Sequence, residues 1–96
     1  MLIVITYDVE TSSPAGQRRL RKIAKICENY GQRVQNSVFE CSLDSAQMVF
    51  VKGQLLKEID LKKDSLRFYK LGKNWEGKIE HYGSKPSYNP EGVIIV

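Results

Sequence analysis

The chain begins with an apolar, β-branched run and then becomes polar. The run Met1–Tyr7 (MLIVITY) is too short for a helix and predicts a strand buried on both faces. A helix is predicted from about Pro14 to Tyr30, because Ser13 can cap it and proline suits the first helical position. Gly31 is expected to end the helix in a left-handed conformation. The apolar face of this helix, at helical spacing, consists of Leu20, Ile23, Ala24, Cys27 and Gly31.

The following segments alternate between strand and helix patterns. Arg33–Leu43 is rich in β-forming residues, and Asn36-Ser37 within it fits one bent strand or two short ones. Asp44 and Gln47 have the spacing of a capping box, which predicts that a second helix begins there. The apolar stripe of this helix is Met48, Val51, Leu55 and Ile59. Further strands are predicted at Ser65–Leu71, Lys78–Tyr82 and Val93–Val96.

This order of elements predicts an α+β fold with a β-α-β-β-α-β pattern and an additional C-terminal strand. Two helices would lie on one face of an antiparallel sheet. The 96 residues suffice for a single domain, residues 1–96. The last segment (VIIV) would leave an exposed apolar edge, so we expect residues from about 75 to 96 to dock on the sheet of a partner protomer.

Charge is unevenly distributed along the chain. The net charge is +4, and residues 17–33 hold six basic groups and one acid, a net of +5, while residues 1–16 sum to −2 and residues 34–96 to +1. Arg18, Lys22 and Lys25 share the polar helix face, Arg21 flanks it, and Arg33 follows the helix. This stripe is a candidate for contacts with nucleic-acid phosphates. A solvated face that keeps the protein soluble is the alternative.

Asp8 is the most prominent candidate for metal binding. It lies where the first strand emerges from the predicted core, and hard cations such as Mg²⁺ prefer oxygen ligands. The alternative is that Asp8 forms a turn or caps a helix. Glu10 is a candidate second ligand, although a solvated loop residue is the simpler interpretation.

Other classes of chemistry find little support in the sequence. The longest apolar runs fall far short of the ~20 residues of a membrane span, and we expect no signal peptide. Cys27 and Cys41 are expected to be buried, reduced thiols of a cytoplasmic protein, since no cysteine–histidine cluster suits zinc. His81 has no sequence-near partner for general-base catalysis, and no serine lies in a nucleophile motif.

Three segments together resemble the CRISPR-associated protein 2 family, the small partner of the spacer-acquisition integrase. They are ITYDV (5–9), RLRKIAKICENYGQRVQNSVFEC (19–41) and DSLRFYKLG (64–72). The YDV and GxRVQxSVFE motifs match closely and in the family's order. The resemblance covers about the first three quarters of the chain.

The resemblance implies a ferredoxin-like homodimer in which Asp8 binds Mg²⁺, or another divalent cation such as Mn²⁺, and serves catalysis. It implies endonuclease activity on RNA or double-stranded DNA, and a role in bridging dimers of the integrase, CRISPR-associated protein 1, during spacer acquisition. Phosphate-binding candidates are Arg18, Arg19, Arg21, Lys22, Lys25 and Arg33. Tyr7, Ser37 and Phe39 are candidates for positioning the backbone or supporting the dimer.

The chain departs from the family pattern after the YDV motif. Many members carry another acid and an arginine there, whereas Glu10 is followed by a longer, neutral loop, residues 11–16. Two alternatives to the nuclease stay open. One is a structural adaptor that holds DNA without required catalysis, and the other is a ferredoxin-like ligand-binding or regulatory domain, which would have no use for the basic helix.

Overall fold

The computed structural model describes residues 1–71 and 79–84. Within them the chain forms two helices and five strands. The strands are β1 (Leu2–Asp8), β2 (Gly31–Gln35), β3 (Val38–Ser42), β4 (Ser65–Leu71) and β5 (Ile79–Gly83). The helices are α1 (Pro14–Tyr30) and α2 (Ser45–Glu58).

The five strands form one antiparallel sheet in the order β2-β3-β1-β4-β5. This arrangement confirms the predicted α+β class and its β-α-β-β-α-β order, which is that of a ferredoxin-like fold. The strand predicted over 78–82 is β5. Asn36 and Ser37 form a turn, so the segment around them is two short strands and not one bent strand. The predictions for 93–96, and for all of 75–96 except β5 and Ser84, fall on residues outside those described.

Both helices cover the same face of the sheet. Residues Ile3, Ile5 and Tyr7 of β1 point toward them and are at most 5% exposed. Phe39 of β3 and Phe68 of β4 lie opposite Ile5 in the register and are fully buried. Each such side chain contributes roughly 1.5–3 kcal/mol when it leaves water. The core therefore fixes β1 as the central, best-packed strand.

No helix or strand among residues 1–71 and 79–84 covers the other face of the sheet, which we call the uncovered face. Leu2 is 43% exposed, Leu71 is 40% exposed, and Val4 and Thr6 are half-buried. The prediction that β1 is buried on both faces is therefore wrong for the single chain. The strand is buried on one face because the two helices that cross between strands lie on the same side.

Helix starts follow the predicted capping residues. Ser13 accepts a hydrogen bond from Gly16 N at 3.1 Å, and Pro14 is the first residue of α1. Asp44 and Gln47 form a reciprocal capping box at the start of α2, with bonds of 2.7 and 3.0 Å. Each cap contributes about 1 kcal/mol. In the described part of the chain, no helix is long and apolar enough to cross a membrane.

Gly31 corrects one prediction. Its φ of −160° and ψ of −166° are extended, so it does not end α1 in the left-handed conformation. It is the first residue of β2, and its N–H still donates to Cys27 O. A Cβ at this position would overlap Cys41 Sγ and Glu40 O of the neighbouring strand. The glycine is required by this close approach and not by a turn.

Candidate active site and nucleic-acid interface

Asp8 is the last residue of the central strand, and its side chain is exposed. The strand β1 is flanked by β3 and β4, and the pairing with β4 extends to Asp8, which holds the backbone there. Ser65 lies opposite it on β4, and the preceding Tyr7 N donates to Ser37 O of the β2–β3 turn at 3.2 Å. Asp8 follows Leu2, Val4 and Thr6 along the alternation that points to the uncovered face. The backbone at Asp8 is thus held in place, and its carboxylate is exposed at the rim of that face.

The described residues contain no group of three or more histidine, cysteine, aspartate or glutamate side chains that could enclose a metal ion. Asp8 offers hard oxygen donors that suit Mg²⁺ or Mn²⁺. One exposed carboxylate fits a cation in part, because it leaves most coordination positions to water, to a phosphate or to a second copy of the chain. Mg²⁺ commonly keeps several waters and binds through one or two carboxylates.

Glu10 is turned toward its own loop. Its Oε1 accepts a hydrogen bond from Ser12 N at 2.6 Å. Hydrogen bonds from the Ser12 backbone and side chain lower the pKa of Glu10, and Lys63 and Arg19 add a smaller electrostatic effect. This geometry gives Glu10 a role in shaping the loop after Asp8. Its role as a second metal ligand stays a prediction.

A residue that the sequence did not single out, Asp64, is the most engaged carboxylate near Asp8. It is fully buried, immediately before β4. Arg19 donates to it from Nε at 2.8 Å and from Nη2 at 3.1 Å. Two backbone N–H groups, those of Glu10 at 3.0 Å and Asp60 at 2.9 Å, also donate to it. Asp64 thereby joins α1, the β1–α1 loop and the end of α2.

Asp64 stays ionised despite its burial. Burial opposes the charged form, but the hydrogen bonds from Arg19, Asp60 N and Glu10 N outweigh it and hold the pKa of Asp64 below its usual range. In the sequence, Asp64 belongs to the DSLRFYKLG segment that carried the family resemblance. A polar residue directly before an apolar strand was a local signal, but its partner lies 45 positions away and could not be inferred from periodicity.

The structure separates the predicted phosphate-binding residues into two groups. Arg19 is committed to Asp64, and its side chain is 17% exposed. Arg33 donates to Glu28 Oε2 at 3.2 Å and to Asn36 O at 3.0 Å, and its guanidinium lies 5.0 Å from the centre of the Phe39 ring. The geometry gives both arginines structural contacts. Their roles in phosphate binding stay predictions.

The other four cations line the outer face of α1. Arg18, Arg21 and Lys25 are exposed and form no ion pair with any residue in 1–71 or 79–84. Lys22 is 64% exposed and lies 3.8 Å from Glu58 Oε1, a surface pair that contributes little. We call these four residues the α1 stripe. It begins near the N-terminus of α1, at the same end of the molecule as Asp8.

The three predicted supporting residues lie together beside Asp8. Tyr7 is buried and stacks on Phe39, with ring centres 6.2 Å apart and planes 22° from parallel. Burial raises the pKa of Tyr7, so its hydroxyl stays protonated. The carbonyl of Ser37 accepts the Tyr7 N–H, and an open groove of about 520 Å³ is lined by Gln35, Asn36, Ser37 and Val38. Tyr7 and Phe39 belong to the core. The roles of the three residues in positioning the backbone or supporting the dimer stay predictions.

The structure confirms that both cysteines are buried and unpaired with each other. Cys27 and Cys41 are buried and free. Burial raises the pKa of Cys27 to about 12, with a smaller contribution from Cys41, and burial also raises the pKa of Cys41. Neither thiol is a nucleophile near neutral pH.

Comparison with known proteins gives a consistent result. A family model described as CRISPR associated protein Cas2 matches residues 1–79. CRISPR-associated endoribonuclease Cas2 of Nitratidesulfovibrio vulgaris is 59% identical over 96 residues, covering 100% of this chain and 94% of that protein. CRISPR-associated endonuclease Cas2 of Halalkalibacterium halodurans is 59% identical over 95 residues, covering 99% of each chain. The crystal structure of Streptococcus pyogenes Cas2 at pH 6.5 superposes with a TM-score of 0.71 at 57% identity, covering 83% of this chain and 96% of that chain.

Proposed function

The chain belongs to the CRISPR associated protein Cas2 family, and from this premise we propose that it is a homodimeric, metal-dependent endonuclease of CRISPR adaptation. The observation that carries the proposal is the exposed carboxylate of Asp8, fixed at the end of the central strand. The names of the relatives support it, since one is called an endoribonuclease and another an endonuclease. The substrate class is therefore a phosphodiester of RNA or DNA.

Asp8 acts in this proposal by holding Mg²⁺ or Mn²⁺ at the rim of the sheet. The bound cation supplies a Lewis acid for the phosphodiester and lowers the pKa of a coordinated water. The carboxylate contributes charge and position. Its fixed backbone matters because a misplacement of the reacting groups by about 1 Å can cost roughly 100-fold in rate.

The uncovered face of the sheet favours pairing with a second copy. Apolar residues Leu2 and Leu71 are partly exposed there, beside half-buried Val4. A two-fold axis through this face would place each Asp8 near its own copy. Two carboxylates at ~4 Å and an effective dielectric of about 20 repel by about 4 kcal/mol. A cation held by Asp8 would offset this repulsion, so metal binding and dimerisation would support one another in the proposed arrangement.

A cleavage assay with a matched variant tests the proposal. Labelled duplex DNA and single-stranded RNA are incubated with wild type and Asp8→Asn, with Mg²⁺, with Mn²⁺ and with a chelator. We expect metal-dependent cleavage by wild type and at least a roughly 100-fold loss in Asp8→Asn, because the amide removes the charged ligand. The nucleic acid that is cut identifies the substrate.

Asp44→Asn is the matched control. It makes the same chemical change at an exposed residue, and asparagine caps a helix as well as aspartate does. Sedimentation analysis of both variants shows whether the dimer persists. Cleavage by Asp8→Asn at the wild-type rate, on either substrate, would refute the catalytic role of Asp8.

A second function, as a structural adaptor that holds DNA and bridges integrase dimers, is favoured by a different observation. The α1 stripe lies in the helical layer, away from the uncovered sheet face, so it can bind nucleic acid while that face is paired. The adaptor function predicts that charge reversal of Arg18, Lys22 and Lys25 abolishes spacer acquisition, whereas Asp8→Asn supports it. Charge reversal of Lys57, an exposed lysine on α2, is the control. Loss of acquisition in Asp8→Asn would show that catalysis is required.

A further inference from the structure

The turn between α2 and β4 presents two adjacent exposed lysines, Lys62 and Lys63. Its backbone is closed by local hydrogen bonds. The side chain of Asp60 accepts from Lys62 N at 2.9 Å, and its carbonyl accepts from Lys63 N at 3.1 Å and Asp64 N at 2.8 Å. These bonds use backbone atoms of the lysines, so both side chains project from a turn whose shape does not depend on them.

The turn is joined to the surroundings of Asp8 by one buried carboxylate. Asp64 accepts from Asp60 N at the start of the turn and from Glu10 N, two residues after Asp8. The next residue, Ser65, lies opposite Asp8 in the sheet. The β1–α1 loop and the α2–β4 turn, which flank Asp8, are thus joined through hydrogen bonds to Asp64. Lys62 and Lys63 are therefore held near the candidate site.

The acids at this end are bound to neighbouring backbone groups. Glu10 accepts from Ser12 N, Asp60 from Lys62 N, and Asp64 from Arg19 and two backbone groups. Lys62 and Lys63, in contrast, form no ion pair with any residue of the described segments. The carboxylates keep their charge but turn toward the backbone, whereas the ammonium groups of Lys62 and Lys63 project from the turn into solvent.

We infer that Lys62 and Lys63 form a binding site for the phosphodiester backbone of the nucleic acid on which Asp8 acts. The identity of that reacting group rests on the proposed function. Lysine is suited to such contacts because its ammonium is a compact point charge. The site continues into the α1 stripe, since Lys22 lies 3.8 Å from Glu58, two residues before Asp60. A single strand or duplex backbone can follow this track from Asp8 along α1.

Salt-dependent binding tests this site without requiring cleavage. Fluorescence anisotropy is measured in a chelator-containing buffer at several salt concentrations, with a labelled DNA duplex and with single-stranded RNA of the same sequence. The variants are Lys62→Ala, Lys63→Ala, the double variant and Lys57→Ala. Lys57 is a matched control because it is exposed in the last turn of α2 and is unpaired within residues 1–71 and 79–84.

Each lysine that contacts a phosphate should reduce the slope of log affinity against log salt by about 0.9 on the duplex and about 0.7 on single-stranded RNA. The double variant should show both losses and bind roughly tenfold or more weakly at low salt, while Lys57→Ala matches wild type. A probe on which the double variant loses the slope expected for two contacts is one that this turn binds, and a probe with an unchanged slope is one that it does not bind. Equal slopes for the double variant and Lys57→Ala on both probes would overturn the inference. A failure of Asp8→Asn to lose cleavage would instead refute the proposed function and leave the binding result standing.

Discussion

Asp8 and Asp64 lie at the same end of neighbouring strands, and their surroundings are opposite. Asp8 closes β1 with an exposed side chain at the rim of the uncovered face. Asp64 precedes β4, one position from the residue paired with Asp8, and is fully buried under four hydrogen bonds. The same residue type thus serves two purposes a short distance apart. The buried carboxylate of Asp64 holds the loops at this end of the molecule together, and the carboxylate of Asp8 lies exposed beside them.

The two carboxylates should therefore differ in how much each contributes to the free energy of unfolding. A buried carboxylate with its partners in place stabilises the fold through those partners, and removing it leaves a partly buried arginine and two N–H groups without their acceptor. An exposed carboxylate at a strand end changes stability little when removed. Substitutions at Asp8 and Asp64 test whether the two residues differ in their contribution to stability.

The largest effect is expected for Asp64→Ala. It should lower the free energy of unfolding by about 3 kcal/mol, because Arg19 and the backbone N–H groups of Glu10 and Asp60 lose their acceptor. Urea unfolding monitored by circular dichroism measures this change. A loss below about 1 kcal/mol would mean that water replaces the carboxylate and that the end of the molecule does not depend on it.

Arg19→Lys should show the next largest effect, a loss of about 1.5 kcal/mol in the same unfolding experiment. Arginine reaches Asp64 through both Nε and Nη2, whereas lysine has a single ammonium and cannot reproduce this fork. Arg18→Lys is the control, since it makes the same change one residue earlier at an exposed position. Equal losses in the two variants would mean that the two-point contact of Arg19 with Asp64 adds nothing to the free energy of unfolding.

The stability difference between wild type and Asp64→Ala should depend on pH. The pKa of Asp64 is lower in the folded protein than its ordinary value of 3.8. Its ionised form therefore stabilises the fold fully above that ordinary value, and this contribution is lost as the pH falls through the folded pKa. Urea unfolding of both proteins from neutral to acidic pH should give a constant difference that shrinks below about pH 4. A difference that grows on acidification would contradict this ionisation.

The smallest effect is expected for Asp8→Ala, a change of at most about 0.5 kcal/mol in the free energy of unfolding. The proposed function predicts that the same variant loses cleavage. Asp8→Ala would then lose activity while keeping its stability, whereas Asp64→Ala would lose stability. A destabilisation as large as that of Asp64→Ala would remove the distinction between the two carboxylates.

Elements set by local patterns could be predicted from the sequence. The caps at Ser13 and Asp44 and the apolar stripe of α2 depend on residues a few positions apart, and the structure confirms them. The α+β class and the β-α-β-β-α-β order along the chain also followed, because few topologies accommodate this alternation of strands and helices. Gly31 was interpreted wrongly because its requirement comes from Cys41 and Glu40, about ten residues away, and not from its own backbone conformation.

The candidate site could be predicted in part. Asp8 was identifiable because the end of an apolar strand is visible in the sequence. Arg18 and Arg19 are both phosphate-binding candidates in the sequence, since basic residues on a helix carry no sign of a partner on a later element. Asp64 distinguishes them by pairing with Arg19 across 45 positions. The sequence does not single out Lys62 and Lys63 for the same reason, because only the folded chain brings their turn beside Asp8.

The direct passage from α1 into β2 also affects local unfolding of these two elements. Gly31 caps the helix through Cys27 O and at the same time pairs with Cys41 in the sheet, with no loop between the two elements. Opening of the last turn of α1 would therefore disturb the pairing of Gly31 with Cys41 between β2 and β3. The amide hydrogens of both should therefore exchange with solvent as one cooperative unit, even though β2 lies at the edge of the sheet, where strands ordinarily open first.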